Sequence, residues 1–300
     1  MTPQVLEEAV CAGCGEAAVR ILHQRRSDLH AEGAFLPSTD VFGAYGRVAR
    51  CVRCGLVRLS PRPEWAFLQR AYQESEDPLY LEELEGRMVT ARGLLGIVAR
   101  HVPAGRLLDV GCGAGILLAA AAPRWQATGV ELSRWAVKEA RERQHAEVIE
   151  GTLEDAGLPD GAFDAVTVVD VIEHVPDPRG MLRGIHRVLK AGGAVFVLTP
   201  DLGAPVARAM GSWWWGFRPA HLYYFSKRTL TEMLGQEGFA VREIRRVGRR
   251  FTLGYWVSRM RGYAPAFVGL AGRCIRALRL DRLLIHVNSF DSIGVVAVKR

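Results

Sequence analysis

From Arg106 to Ala120 the chain reads Arg-Leu-Leu-Asp-Val-Gly-Cys-Gly-Ala-Gly-Ile-Leu-Leu-Ala-Ala, and few folds accommodate such a stretch. Leu107, Leu108 and Val110 form a short apolar run suited to a buried parallel strand. Asp109 sits within it, near the carboxyl end. Gly111, Gly113 and Gly115 then let the backbone turn sharply and approach a ligand with no side chain between. The Ala-rich apolar pattern that follows predicts a helix. Strand, glycine loop and helix N-terminus together form a cradle of the nucleotide-binding kind. The glycines follow G-x-G-x-G, whereas a dinucleotide fingerprint wants G-x-G-x-x-G, so the spacing alone does not name the ligand.

The chain beyond the loop repeats the same alternation. Ala127-Thr-Gly-Val-Glu131-Leu132-Ser133 predicts a second strand ending in a carboxylate, about 20 residues after the glycines, where an acidic side chain can hold both ribose hydroxyls. Ser133 is placed to cap the helix that starts at Arg134. Residues 147–154 predict a third strand and its exit loop, and residues 163–175 a fourth strand with a polar cluster behind it. A helix over Met181–Lys190, stopped by Gly192-Gly193, and a fifth strand over Ala194–Asp201 follow. Strands alternating with helices at these intervals give a parallel sheet with right-handed crossovers, whose ligands bind at the carboxyl ends.

The N-terminal part is of another kind. Cys11-Ala-Gly-Cys14-Gly and Cys51-Val-Arg-Cys54-Gly are two C-x-x-C-G knuckles, which predict a closed tetrahedral zinc site with four cysteine ligands and a structural or recognition role. The intervening residues predict short strands and a loop, with suitable alternation in Asp40–Gly46. Pro61-Arg-Pro63 marks a linker, and residues 64–100 read as helices. Tyr72 suits either the core or a cover over the cofactor. The domain plan is a zinc ribbon over 1–60, a helical linker and cofactor cap over 61–104, and the large α/β domain over 105–300, with insertions at 202–228 and 251–290.

Composition excludes some classes. At 49% hydrophobic residues the chain has a real core, and no apolar run reaches the ~18 residues of a membrane span. The acidic first residues lack the apolar segment of a secretory signal, so the expected location is cytoplasmic. A net charge of +7 fits a solvated basic face or attraction to an anionic partner.

In Leu-Leu-Asp109-Val-Gly-Cys-Gly-Ala-Gly, Val-Glu131-Leu-Ser, Phe-Asp164-Ala-Val, Glu173-His174-Val-Pro-Asp-Pro and Leu-Lys-Ala-Gly-Gly the sequence resembles the ordered motifs of class I S-adenosylmethionine-dependent methyltransferases. The resemblance spans roughly residues 105–240. It implies a Rossmann-like seven-stranded sheet whose last strand is antiparallel. It also implies S-adenosylmethionine as cofactor, with the glycine loop facing the methionine part, Glu131 and Leu132 at the ribose, and the Thr152-Leu153-Glu154 loop beside adenine. An Asp often stands where this chain has Thr152. Asp170 would border the same site.

Asp170, Glu173 and His174 resemble the E-x-x-E-H segment of coenzyme Q O-methyltransferases, where such residues can hold a divalent ion. The commoner role of Glu-His is to line the pocket or cap the next helix, so a catalytic metal is the lesser alternative. In Trp213-Trp-Trp215-Gly-Phe-Arg218-Pro-Ala-His221-Leu-Tyr-Tyr224-Phe-Ser226, some tryptophans should wall a pocket. This run resembles a segment of zinc-ribbon sugar and natural-product methyltransferases; in sugar C-methyltransferases with an N-terminal zinc domain a histidine hereabouts is the proposed base. His221 is thus a base or a substrate contact, or else a structural histidine. The 251–290 insert predicts helices closing over the site, or an amphipathic surface meeting a membrane or a lipid-linked substrate.

The sequence accordingly predicts methyl transfer to an oxygen or carbon of a small-molecule acceptor from a sugar, natural-product or envelope pathway. An RNA methyltransferase that binds substrate through the ribbon is a second reading, although no (D/N)-P-P-(Y/F) follows the fourth strand and no basic stripe with interleaved aromatics marks the ribbon. A non-catalytic cofactor-binding interaction module is a third. Nothing in the sequence sets the oligomeric state.

Overall fold

The structure, a computed structural model, describes residues 6–24, 45–122, 124–262 and 264–300. The part of the Asp40–Gly46 pattern over 40–44 lies outside the described residues, as does the side chain of Phe267.

Two turns of matching geometry open the fold. In each, the amide of the first cysteine donates to a carbonyl five residues on (Cys11 to Glu16, Cys51 to Leu56), and the following glycine, Gly15 or Gly55, donates back to that cysteine's carbonyl. The strands β1 (Leu6–Glu7), β2 (Val19–His23), β3 (Val48–Cys51), β4 (Val57–Leu59) and β5 (Arg62–Pro63) surround them, β1 pairing with β5 and β2-β3-β4 forming an antiparallel meander. The helices α1 (Trp65–Gln73), α2 (Pro78–Leu81) and α3 (Leu84–Val98) follow. Asp77 starts α2 by accepting from the Tyr80 amide, with Pro78 at the first helical position, where its missing N–H costs nothing.

The large domain comprises β6 (Gly105–Val110), α4 (Ile116–Ala121), β7 (Trp125–Glu131), α5 (Arg134–Gln144), β8 (Glu147–Glu150), β9 (Phe163–Val169), α6 (Pro178–Val188), β10 (Leu189–Pro200), α7 (Pro205–Met210), β11 (Tyr223–Tyr224), α8 (Lys227–Gln236), β12 (Phe239–Arg246), β13 (Arg249–Thr252), α9 (Leu253–Ser258), α10 (Pro265–Ala277), β14 (Leu284–Val287) and β15 (Ser292–Lys299). Its seven-stranded sheet has the order β12-β15-β10-β9-β6-β7-β8, with β15 antiparallel to both neighbours and the other pairings parallel. This is the Rossmann-like sheet with an antiparallel last strand that the motifs imply. The predicted caps are present: Ser133 accepts from the Ala136 amide, and Ser226 and Thr229 form a capping box at α8.

The boundary between α6 and β10 differs from expectation. The helix ends at Val188, two residues before Lys190, because Leu189 is buried and pairs with Phe163. Gly192 and Gly193 fall within an irregular start to β10, between its paired residues Leu189 and Ala194.

The ribbon is built into the large domain. β11, from residues 223–224, adds a fourth strand to β2-β3-β4, and the Leu59 amide donates to the Leu222 carbonyl at 2.9 Å. Arg228 donates to the Cys54 carbonyl at 2.8 Å, and Arg62 to both the Pro176 carbonyl and the Tyr223 hydroxyl.

The adjacent tryptophans divide their roles. Trp214 is fully buried and donates through Nε1 to Asp291 at 2.7 Å, while Trp213 is exposed. In the C-terminal insert, β13 pairs with β14, and Glu83 accepts from both the amide and hydroxyl of Thr252, tying this hairpin to the start of α3. Leu270, Leu278 and Leu283 are exposed. Among the described residues no helix is long and apolar enough to cross a membrane.

Removing the Asp291 carboxylate leaves the buried Trp214 indole N–H without its acceptor. Asp291→Ala is expected to lower the unfolding free energy by about 1–3 kcal/mol in urea denaturation. A loss under about 0.5 kcal/mol, the scatter of ordinary surface changes, would show that this bond is not needed.

Candidate active site

The carboxyl ends of β6, β7 and β9 meet in one crevice. Gly111 and Gly113 have φ of 71° and 54°, and a side chain on Gly111 would collide with Val171. At Gly113 a β-carbon would stand 3.7 Å from the Tyr80 hydroxyl, in the space a ligand would use. Glu131 closes the loop from below. Its Oε2 accepts from the Gly113 amide at 2.8 Å, and its Oε1 from the amides of Leu132 and Ser133 at 2.7 and 2.8 Å. Burial raises the pKa of Glu131, opposed by these three amides. Asp109, one strand over, is raised to about 7 by burial, against the hydroxyl of Thr167, which donates to it at 2.6 Å.

Tyr72, Ser75, Asp77, Tyr80, Gly113, Ala114, Glu131, Ser133, Trp135 and Ala136 line a cavity of about 420 Å³, its open mouth included. The residues from α1 and α2 roof it, and the Ser133 hydroxyl donates across it to the Ser75 carbonyl at 3.0 Å. Of the sequence-predicted cofactor residues, Tyr72, Gly113 and Glu131 thus face the cavity. Asp109, Gly111, Gly115 and Leu132 frame the loop. Thr152, Leu153 and Glu154 are not among its lining residues: the Thr152 hydroxyl donates to Asp155 at 2.7 Å and Leu153 is buried in the core. Ser75, Tyr80 and Trp135 were not singled out from the sequence. Asp77-Pro78, a helix-start signal just before Tyr80, is the feature that could have drawn attention there.

Beside the cavity lies a second group. The Tyr72 hydroxyl is 3.0 Å from His174 Nδ1, which is also 3.0 Å from the Ala220 carbonyl. A carbonyl only accepts, so Nδ1 carries the proton and Nε2 keeps its lone pair. His221 Nδ1 likewise faces the Gly216 carbonyl at 2.9 Å. The two imidazole rings meet edge to face with centroids 4.7 Å apart. Burial lowers His174 to about 4, opposed by Asp170, and pushes His221 well down, helped by the neighbouring His174 and Arg218.

Glu173 is fully buried, and its carboxylate oxygens make no well-formed hydrogen bond among the described residues, with the Thr199 hydroxyl close by. Burial, reinforced by the charge of Asp170, raises it to about 8. Single ligand atoms of Glu173, His174 and His221 all lie within 4.8 Å of one another, as do those of Cys11, Cys14, Cys51 and Cys54. Asp170 has φ 55°, rare for a residue with a side chain, and bonds Arg249 at 2.7 Å.

Comparison with known proteins places this geometry in a class. The sequence family described as "Methyltransferase domain" matches residues 80–244, more than half of the chain, and the chain belongs to that family. Its sheet order and glycine loop are those of the class I S-adenosylmethionine-dependent methyltransferase fold. It is similar to the ubiquinone biosynthesis O-methyltransferases of Chromobacterium violaceum (38% identity over 120 residues, 37% of this chain and 51% of that protein) and Xanthomonas campestris pv. campestris (40% over 114 residues, 35% and 48%). The chain thus spans about half the length of these curated relatives. A solved S-adenosylmethionine-dependent methyltransferase from Thermotoga maritima, described as a possible histamine N-methyltransferase, shares the fold with a TM-score of 0.50 at 19% identity, covering 79% of this chain and all of that one.

The buried Asp109 carries a pH signature. Because its pKa is raised on folding, its ionisation opposes the folded state as pH climbs from its unfolded value near 4 to about 7. Asp109→Asn is therefore expected to gain stability relative to wild type steadily over that window and to hold a constant difference above it. Denaturant midpoints of ligand-free protein from pH 4 to 8 would test this, and a pH-independent difference would contradict it.

Proposed function

We propose that this chain methylates an oxygen or carbon of a small-molecule acceptor, with His221, His174 and Glu173 managing the acceptor's proton. The observation that carries the reading is the pair of imidazoles whose Nδ1 atoms are fixed by carbonyls, keeping the Nε2 lone pairs free, within a cluster whose ligand atoms lie within 4.8 Å of the buried Glu173 carboxylate. The cavity residues suit the cofactor: a glycine loop with room for close approach, and Glu131 held by amides with lone-pair capacity left for ribose hydroxyls. The bound cofactor supplies a sulfonium methyl group that is already activated.

What remains for the chain is alignment and proton removal. A hydroxyl becomes strongly acidic as its oxygen acquires the methyl group, so a neutral imidazole of low pKa suffices as acceptor. His221 Nε2 takes the proton, and Glu173, whose pKa burial raises to about 8, stabilises the resulting imidazolium only where it is itself ionised. Tyr72, bonded to His174 and lining the cavity, couples this group to the methyl-donor side. The O-methyltransferase likeness supports an oxygen acceptor, with phenols as the first compounds to test.

His221→Ala is expected to cut turnover at least 100-fold while changing S-adenosylhomocysteine affinity less than threefold. Calorimetry gives the affinity. Transfer of radiolabelled methyl to a panel of hydroxybenzoates and nucleotide sugars gives the rate, and unchanged turnover would remove His221 from the mechanism.

The proximity of Glu173, His174 and His221 also supports a second reading, in which they hold a divalent ion that would acidify and orient an acceptor hydroxyl. Metal analysis after chelation, with activity measured alongside, separates the two.

In the ribbon we assign Cys11, Cys14, Cys51 and Cys54 to a structural zinc ion. Their Sγ atoms approach to 3.4 Å (Cys11 to Cys54) and 3.5 Å (Cys14 to Cys51), close to the ~3.8 Å edge of a tetrahedron with ~2.3 Å zinc–sulfur bonds. Against the raising effect of burial, the amides of Cys54 and Arg53 bring Cys51 down to about 7, whereas burial pushes the Cys11 and Cys54 thiols up. Elemental analysis of purified protein should give one zinc per chain. Cys14→Ser/Cys51→Ser should contain less than a tenth of that, and full zinc content in this variant would refute the assignment. The exposed leucines of the insert make contact with a membrane or a lipid-linked acceptor a further part of this reading, tested by co-sedimentation with anionic vesicles.

A further inference from the structure

Arg58 carries a charge into the interior of the ribbon. It is 2% exposed in the middle of β4, and its Nε and Nη1 are buried without a hydrogen-bond partner. The carboxylates of the ribbon and of the helix start it docks on are engaged elsewhere. Glu7 pairs with Arg62, Glu8 with Arg47 and the Ser60 hydroxyl, and Asp177 with the Gly180 amide and Arg183. Two other arginines reach the cysteine turns, but each brings its own counter-charge. Arg228 donates to the Cys54 carbonyl while bonded to Glu232, and Arg179 donates to the Gly13 carbonyl at 3.4 Å while bonded to Glu237. Arg58 has no such counterweight among the described residues. A buried guanidinium in that state is strongly unfavourable by itself.

Strand register shows what Arg58 faces. It stands opposite Ala49 of β3 on one side and Tyr223 of β11 on the other. Side chains two apart along a strand share a face, so Cys51 of β3 projects to the same face as Ala49 and is a diagonal neighbour of Arg58. Diagonal neighbours across an antiparallel pair lie about 7–8 Å apart, within reach of a long side chain. The Cys51 amide donates to the Leu56 carbonyl at 2.9 Å, which carries the pairing on to the turn. Leu56 reaches the first turn as well: a β-carbon on Gly13 would stand 3.5 Å from its side chain and 3.2 Å from Cys54 Sγ. Because the four cysteine sulfurs lie within 4.8 Å of one another, their cluster and Arg58 occupy the same face of β3 and β4. Tyr223 does not take up the guanidinium. Its hydroxyl accepts from Arg62 and donates to the Pro176 carbonyl, both at 2.9 Å.

We propose that Arg58 is the counter-charge of the zinc–cysteine cluster, held beside Cys51 to offset the negative charge of the metal-bound thiolates, and this rests on the zinc assignment above. Four thiolates outweigh one divalent ion by two charges. In a buried setting that excess calls for positive charge and hydrogen-bond donors close by. A guanidinium meets both needs, because its planar fork offers several N–H donors and it stays charged at any pH the protein survives. Each partner then answers the other's burial: the thiolates compensate Arg58, and Arg58 compensates the thiolates. Arg58 acts here as a positioning residue for metal retention, outside a tetrahedron that the four cysteines already close.

Zinc affinity of the full chain, measured by competition with a chromogenic chelator under reducing conditions, tests this. Arg58→Met keeps the apolar stem and removes the charge, and should bind zinc at least about tenfold more weakly than wild type. Arg58→Lys keeps the charge and should lose less than about threefold. Melting temperatures separate this role from packing. In zinc-free protein the buried charge is a liability, so Arg58→Met should melt no lower than wild type, whereas with zinc bound it should melt lower. An arginine needed only for packing would lower both. Arg58→Gln replaces Arg58→Met if the latter does not fold. If neither neutral variant folds, Arg58→Lys decides: zinc affinity near wild type supports the role of charge, and tenfold weakening refutes it. The proposal is overturned if the neutral variants retain wild-type zinc affinity, if Arg58→Lys loses as much as they do, or if Arg58→Met destabilises the zinc-free protein as much as the zinc-loaded one. A wild-type chain that takes up no zinc would instead sink the zinc assignment itself.

Discussion

Four carboxylates gathered in one crevice, two of them buried and two half-buried, set the terms for the rest of this molecule. Asp109, Glu131, Asp170 and Glu173 all stand at or just beyond the carboxyl ends of β6, β7 and β9, where a parallel sheet leaves its crevice. Burying that much like charge is unfavourable unless each group is treated separately. Glu131 is met by three amides of the glycine loop and the following turn, Asp109 by Thr167, and Asp170 by Arg249. Glu173, with only weak help from the Thr199 hydroxyl and the charge of Asp170 against it, holds its proton instead. The carboxylates nearest the glycines are fixed as acceptors, while the one beside the histidines is left able to exchange a proton.

The same logic links the ribbon to the chemistry. His221 lies in a loop whose next residue, Leu222, is gripped from both sides: its amide donates to the Glu173 carbonyl and its carbonyl accepts from Leu59 of the ribbon. The imidazole orientation thus depends on a strand more than 160 residues earlier in the chain. A four-cysteine module set apart from the glycine loop acts here as a buttress for the loop that carries His221.

Much of this was legible in the sequence because it is local. Period, caps and glycine spacing gave the strands, the loop and Glu131, and the two C-x-x-C-G knuckles announced the cysteine cluster. What escaped depends on long-range pairing. The two-residue strand at Tyr223-Tyr224 has no pattern of its own and exists because β4 offers an open edge. Lys190 reads as the last residue of a helix stopped by Gly192-Gly193, yet the burial of Leu189 against β9 draws those residues into a strand. Arg249 could be counted only as part of a basic surplus, since its partner Asp170 lies 79 positions away. Tyr80 was hidden for the same reason: a lone aromatic on a one-turn helix carries no periodic signal, and only the fold brings it over Gly113.

The pairing of β11 with β4 also bears on how the chain is made. Both cysteine knuckles and three strands of the ribbon sheet are complete by Leu59, but the fourth strand is synthesised only after most of the seven-stranded sheet. During translation the ribbon therefore waits with one edge unpaired, and an unpaired edge is what neighbouring nascent chains can capture. Closing so long a loop is slow compared with forming local turns. Early compaction of the cysteine module would shorten the interval in which that edge is at risk, which gives the ribbon a role in assembly distinct from its role in the finished enzyme.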